Sequence, residues 1–318
     1  MALNKELMIT LQQLTGIGAK TILGIADDVT DGVKTIHDLC TYWDTLKGKK
    51  YEKISSDDLL SAHSIALNTI KRSTDNNIGI ITYYEPQFPE SLKECIDGNG
   101  EILPAIVLYY RGDLKVLKKP SIAVIGTREP TPNGVKTGIY FSEEFAKRGF
   151  NIVSGLAIGC DTAAHRGAMN VEGSTTAFLA NGLDWDSIYP KSNLKLAKEI
   201  VDRGGILVSE YPIRKSVDRY GLVARDRLQA GLSSATIAIQ TGVKGGTMHA
   251  INATIKANKP LFMVCYKNPE DLISPKVQGN IKLLQEGFAM PLGTDRLEKS
   301  IGNVKKFIDD SNKSNRLV

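Results

Sequence analysis

Cysteine is scarce and scattered. Cys40, Cys95, Cys160 and Cys265 have no CxxC spacing, which argues against a disulfide framework and against the usual zinc motifs. No apolar run reaches the roughly 20 residues that span a bilayer, and the first residues carry no signal-peptide pattern. A cytoplasmic protein with no membrane segment is therefore expected. There is no GxGxxG, no Gly-Lys-Ser/Thr ending to a P-loop and no GxSxG elbow. These absences remove the signs of a dinucleotide redox cofactor, of Walker-type nucleotide binding and of a serine hydrolase. Internal repeats and low-complexity segments are missing as well.

What remains is ordinary globular material. The chain has 318 residues, 42% hydrophobic and 24% charged, enough for a main domain with a smaller one beside it. A formal net charge of +5 leans only slightly towards a polyanionic partner. The position of the charge matters more.

Residues 1–75 read as small helices. Leu11 to Ile22 has the form of a helix, a Gly16-Ile17-Gly18 hairpin and a second helix, whose first N–H groups could face a nucleic-acid phosphate. A plain αα-hairpin is the alternative, and Asp27, Asp28 and Asp31 would weaken phosphate binding there. Ile78–Thr82 and Ala105–Tyr110 read as strands of an extension beside a main sheet.

From Ser121 strand and helix alternate. Short apolar runs at Ile122–Ile125, Asn151–Ser154, Thr175–Ala180, Gly205–Ser209, Thr236–Gln240 and Pro260–Val264 predict buried parallel strands. Helical segments lie around Val135–Lys147, Thr162–Met169, Leu194–Asp202, Arg225–Ala230 and Thr247–Ala257. This alternation predicts an α/β fold, doubly wound around a mostly parallel sheet. Thr131 and Pro132 are suited to cap and open the first crossover helix, and Gly149 to end it. The tail after Leu292 predicts one short helix, Leu297 to Ile308, with a loose end.

Three glycine turns should meet at the C-terminal edge of that sheet: Gly126-Thr127-Arg128, Ser154-Gly155 on to Asp161, and Lys244-Gly245-Gly246-Thr247. One such loop can be a tight βα connection. Three converging loops favour an anion site, with backbone N–H groups at helix N-termini and Arg128 gripping a phosphate. Arg214, Lys215, Arg225 and Arg227 form a second cationic stretch that also holds Arg219, interleaved with Asp218 and Asp226; Lys191 adds one cation more. An ion-paired surface is the other reading of this stretch. Tyr189, Tyr211 and Tyr220 stand near these cations and could stack on bases, although core or rim positions are commoner for tyrosine. Cys160, Asp161 and His165 are read as structural, with Asp161 placed to cap the helix that holds His165. Asp184 and Asp186 lack partners for a metal site. No catalytic residue, metal or cofactor is expected.

The stretches AVIGTREPTPNG, NIVSGLAIGCDTAAHRGAM, LANGLDWDSIYPKSN, GGILVSEYP, RDRLQAGLSSATIAIQTGVKGGTMHA and KPLFMV resemble the DNA-processing protein A family (DprA, also called Smf). Upstream, GIITYYEPQFPESL, VLYYRGD and the hairpin LTGIG fit as well, so the resemblance runs from about residue 5 to 292. It implies a helical N-terminal domain of helix–hairpin–helix or SAM-like type over 1–75, an extended Rossmann-like DNA-binding domain over 76–292, and a tail over 293–318 too short for the winged helix that many relatives carry. It implies a non-catalytic homodimer that coats incoming single-stranded DNA and helps load the RecA recombinase in natural transformation. Arg128 becomes the leading phosphate ligand, with Lys191 and the Arg214/Lys215 neighbourhood as further contacts. Three positions depart from the family pattern: Thr127 replaces Ser, Ile158 an Arg, and Asp226 an Asn. The last two remove positive character or amide hydrogen bonding, so weaker DNA binding or an altered ligand is expected. A sensor of a nucleotide-derived signal is the alternative. A nucleotide phosphoribohydrolase resembling the LOG family ranks last, since no acid follows Gly245-Gly246-Thr247.

Overall fold

The computed structural model describes residues 3–29 and 32–314; Asp31 lies outside them. Among these residues nine strands form one sheet in the order β1-β2-β6-β5-β4-β3-β7-β8-β9. They are β1 Gly79–Thr82, β2 Val107–Gly112, β3 Ser121–Ile125, β4 Asn151–Ser154, β5 Thr175–Leu179, β6 Ile206–Ser209, β7 Ala235–Ala238, β8 Leu261–Val264 and β9 Met290–Leu292. β1 and β2 pair antiparallel, as do β2 and β6, and every other neighbouring pair is parallel. The fold is α/β and Rossmann-like.

Each central strand is buried along its whole length, as a sheet covered by helices on both faces requires. The crossover helix Pro132–Lys147 begins as its sequence dictates. The Thr131 hydroxyl accepts from the Gly134 N–H at 3.1 Å and proline occupies the first turn. The helix then stops before Gly149, whose φ is +85°. β9 escaped the sequence reading because it has three residues with Pro291 in the middle, and a short proline-bearing edge strand has no periodicity to read. The last helix, Leu297–Ser314, is longer than expected and less of a tail, since Leu297, Ile301 and Val304 join the core under β7 and β8.

The N-terminal helices do not stand apart. Leu7, Ile9, Leu39 and Leu59 share one apolar cluster with Tyr109, Leu179, Ile200 and Leu207 of the α/β part. The glycine hairpin forms between helices Lys5–Gln12 and Ala19–Asp28, with Gly16 at φ +83°. Asp27 accepts a 2.6 Å bond from the Tyr84 hydroxyl and ties the hairpin to the segment after β1.

The sheet order also locates a site. From β3 the chain winds outward through β4, β5 and β6, whereas β7, β8 and β9 lie on the other side of β3. The loops after β3 and β7 therefore diverge and leave a crevice at the carboxyl ends of the strands, where open α/β sheets bind ligands.

Candidate functional site

A cavity of about 530 Å³ fills that crevice. Turn one, residues 126–129, forms one wall, and turn three, residues 241–247, forms the opposite one. They are joined at the base, where the Thr127 N–H donates to the Gln240 carbonyl at 2.8 Å. Gly126 is required by packing, because a Cβ there would lie 2.5 Å from Cys160 Sγ.

The three turns differ in what their amides are free to do. In turn two the Gly155 and Ala157 N–H groups both donate to Asp161 Oδ2, at 3.2 and 3.1 Å. Asp161 thus caps the turn before its helix, while the cap position itself falls to Gly159 at φ +83°. Ser154 is buried and donates to the Val124 carbonyl at 2.7 Å. Turn two already holds a carboxyl group of its own, and neither Ser154 nor the Gly155 amide is open to a phosphate.

Turn three is vacant. The N–H groups of Lys244, Gly245, Gly246 and Thr247 make no hydrogen bond among the described residues. The helix Thr247–Lys256 begins there without a side-chain cap. Gly245 has φ +143°, and a Cβ on Gly245 or Gly246 would meet no protein atom within 4 Å. Orphan N–H groups at a helix start attract anions. Across the cavity stands Arg128, exposed and with no hydrogen bond or ion pair among the described residues, as are Lys244 and Arg219 on the same rim.

The cavity floor is a buried ion cluster. Arg225 donates from Nη1 to the Gly155 carbonyl and, at 2.9 Å, to the Phe178 carbonyl. Its Nη2 lies 4.0 Å from Asp161, and its Nε lies 3.3 Å from Asp226 Oδ1 without hydrogen-bond alignment. Burial pushes the Asp226 carboxyl up to about 7 against the pull of Arg225, with Asp161 adding to the rise. Burial raises Asp161 too, and Arg225 opposes it. Gln229, two per cent exposed, donates from Nε2 to Asp226 Oδ1 at 3.0 Å, and its Oε1 has no partner.

Of the residues expected at the site, the cavity gathers Gly126, Thr127, Arg128, Arg225, Lys244, Gly245, Gly246 and Thr247. Gly155 lines a small recess next to it with Arg128, Ile158 and Tyr189. Four cations are placed elsewhere. Lys191 donates to the Asp186 carbonyl, Arg214 is exposed beside Asp184, and Lys215 pairs with Asp218 at 2.6 Å. Arg227 is buried in a bidentate pair with Glu210, both contacts 2.7 Å, and also donates to the Leu103 carbonyl. Sequence reasoning did not single out Gln229, Leu222 or His249. Their only signal was spacing from the motif residues, three positions after Asp226 for Gln229 and two after Thr247 for His249.

Arg227 and Lys215 face a second groove of about 790 Å³ between the glycine hairpin and the sheet edge. Val223 and His249 line both hollows, so the two adjoin. His165 and Cys160 lie under the floor. His165 bonds Thr175 at 2.7 Å, and burial pushes its imidazole down to about 3, while burial pushes the Cys160 thiol up to about 12. Near neutral pH both are uncharged.

Residues 79–301 match the sequence profile of DNA recombination-mediator protein A. The DNA processing protein DprA of Bacillus subtilis is 32% identical over 214 residues, 67% of this chain and 68% of that one. Protein Smf of Synechocystis is 31% identical over 239 residues, which is 74% of this chain and only 57% of the relative's length. The crystal structure of DprA from Streptococcus pneumoniae shares the fold, with a TM-score of 0.72 at 22% identity over 94% of this chain and 98% of that one. The structure of Helicobacter pylori DNA processing protein A, described for its single-stranded DNA binding mode, superimposes with a TM-score of 0.56 at 31% identity, covering 74% of this chain and 96% of that one. With motifs, sheet order and profile in agreement, the chain belongs to the DNA recombination-mediator protein A family.

Proposed function

We propose that the crevice between turns one and three holds the sugar-phosphate backbone of single-stranded DNA. The observation that carries this reading is the pairing of unpartnered Arg128 with the four free N–H groups of Lys244 to Thr247 across one cavity. Cationic side chains and backbone amides aimed at one hollow suit phosphate oxygens and carry little base preference of their own. The single-stranded DNA binding reported for the Helicobacter pylori relative supports the same reading.

On this reading residues 76–292 form the DNA-binding unit and the protein processes incoming DNA in transformation. Self-association through the Rossmann-like part and delivery of the strand to RecA follow from the family resemblance. On this reading the role is binding, and the Cys160 thiol and His165 imidazole beneath the floor are buried and uncharged.

Fluorescence anisotropy with a labelled oligo-dT tests it, using wild type and Arg128→Ala at two salt concentrations. Wild type should bind and weaken with salt, and the variant should lose about tenfold, as expected for one charge-assisted contact. It should also show a salt slope shallower by about 0.7. Absence of wild-type binding would sink the proposal.

A further inference from the structure

Asp226 gives the cavity floor a chemistry that phosphate binding does not use. It is the first residue of the helix Asp226–Leu232, nine per cent exposed, and it lines the cavity. Its Oδ1 faces Arg225 Nε and takes the Gln229 amide, whereas Oδ2 accepts no hydrogen bond among the described residues. Gln229 lines the same wall with Oε1 unbonded. The Arg225 Nη1 donor is already committed to the Gly155 and Phe178 carbonyls. This wall therefore offers hydrogen-bond acceptors beside one unaligned donor, the Arg225 Nε–H facing Oδ1, and Leu222, Val223 and His249 add apolar and ring surface around it. A volume of about 530 Å³ falls within the range that encloses small ligands, roughly 300–1,000 Å³.

Among the bases only guanine presents two adjacent donors, N1–H and N2–H2, on its Watson–Crick edge. A carboxylate can take both. Thymine offers one imide N–H between two carbonyl oxygens, which the carboxylate repels. Adenine and cytosine each set one amino group beside an unprotonated ring nitrogen. We propose that Asp226, supported by Gln229, selects a guanine on the cavity floor, presented by a single strand or by a free guanine nucleotide. This rests on the phosphate-binding reading of the same cavity and adds base selection to it.

The test uses the full chain and labelled oligo-dT carrying at its centre three dG, three dA, three dC or no replacement, too few guanines for a quadruplex. Anisotropy is read at pH 8. The dG strand should bind about tenfold tighter than the all-T strand, the order expected of one good bidentate base contact. Replacing dG by deoxyinosine, which lacks the N2 amine, should remove most of that gain without altering the protein. Asp226→Asn should raise all-T affinity by removing a negative charge near the phosphate, and should bring the dG advantage below twofold. Equal binding of dG and all-T strands by wild type, or an undiminished dG advantage with inosine or in Asp226→Asn, overturns the proposal. Salt-dependent binding of all strands alike would leave the phosphate reading standing and remove only the guanine wall. Guanosine monophosphate binding in the absence of any strand binding would keep the wall and remove the strand.

Discussion

The guanidinium of Arg225 occupies the space that a side chain at residue 155 would need. A Cβ on Gly155 would overlap Cζ and both terminal nitrogens, and the same guanidinium donates to the Gly155 carbonyl. Turn two and the cavity floor are thus one unit. Gly155→Ala must displace Arg225 from between Asp161 and Asp226, and overpacking of this kind costs about 1–3 kcal/mol. Urea unfolding should show that loss, and strand binding should fall with it. A variant as stable as wild type would mean that the floor rearranges freely.

Much of this architecture was legible in the chain. Six β-branched or apolar runs became six parallel strands, Thr131 capped its helix, and the turns after β3 and β7 line one crevice because the strand order reverses between them. Cation roles were not legible. Arg128, Arg225 and Arg227 look alike in one dimension, and their difference depends on tertiary neighbours. Glu210, seventeen residues before Arg227, neutralises it, while Asp161, distant in sequence, faces Arg225. Arg128 pairs with no carboxylate among the described residues, and Asp226 faces it only beyond ion-pair distance. The unpaired amides of turn three were equally hidden, since only the structure shows that Asp161 fills the amides of turn two and that no described residue fills those of turn three.

That contrast predicts opposite phenotypes for two arginines. Arg128→Ala removes an exposed, unpartnered side chain, so thermal stability should stay within about 0.5 kcal/mol of wild type while binding falls. Arg227→Met leaves the partly buried Glu210 without its partner and should cost about 2–3 kcal/mol. A stable Arg227→Met with weakened binding would instead make Arg227 a ligand.

Gly246 separates backbone approach from folding. Its φ is −58° and its ψ −38°, helical values, and a Cβ there would touch no protein atom within 4 Å. Gly246→Ala should therefore stabilise the protein by about 0.4–1 kcal/mol, through a less mobile unfolded chain. If a phosphate approaches these amides, the added methyl should weaken strand binding severalfold. Binding that holds while stability rises would place the strand away from turn three.

Asp226 makes stability depend on pH in a direction that can be worked out. Its folded value of about 7 lies above the ordinary carboxylate range, so the folded state holds a proton that the unfolded chain releases. Its contribution is full below the unfolded value near 4, and it fades as pH rises through about 7. His165 runs the other way: pushed down to about 3 by burial, it contributes above its unfolded value and weakens the fold as pH falls. Asp161, also raised by burial, acts in the same direction as Asp226, and both overlap with His165 between about pH 4 and 6.5, so wild type alone cannot separate them. Asp226→Asn can. The charges facing residue 226 are Arg225, Asp161 and Arg128, all retained in the variant, and His165 is common to both proteins. The melting temperature of Asp226→Asn minus that of wild type should therefore increase from pH 5.5 to pH 8. Parallel melting curves across that range would mean that Asp226 ionises as an ordinary carboxylate, and that the cavity floor is far better solvated than its burial implies.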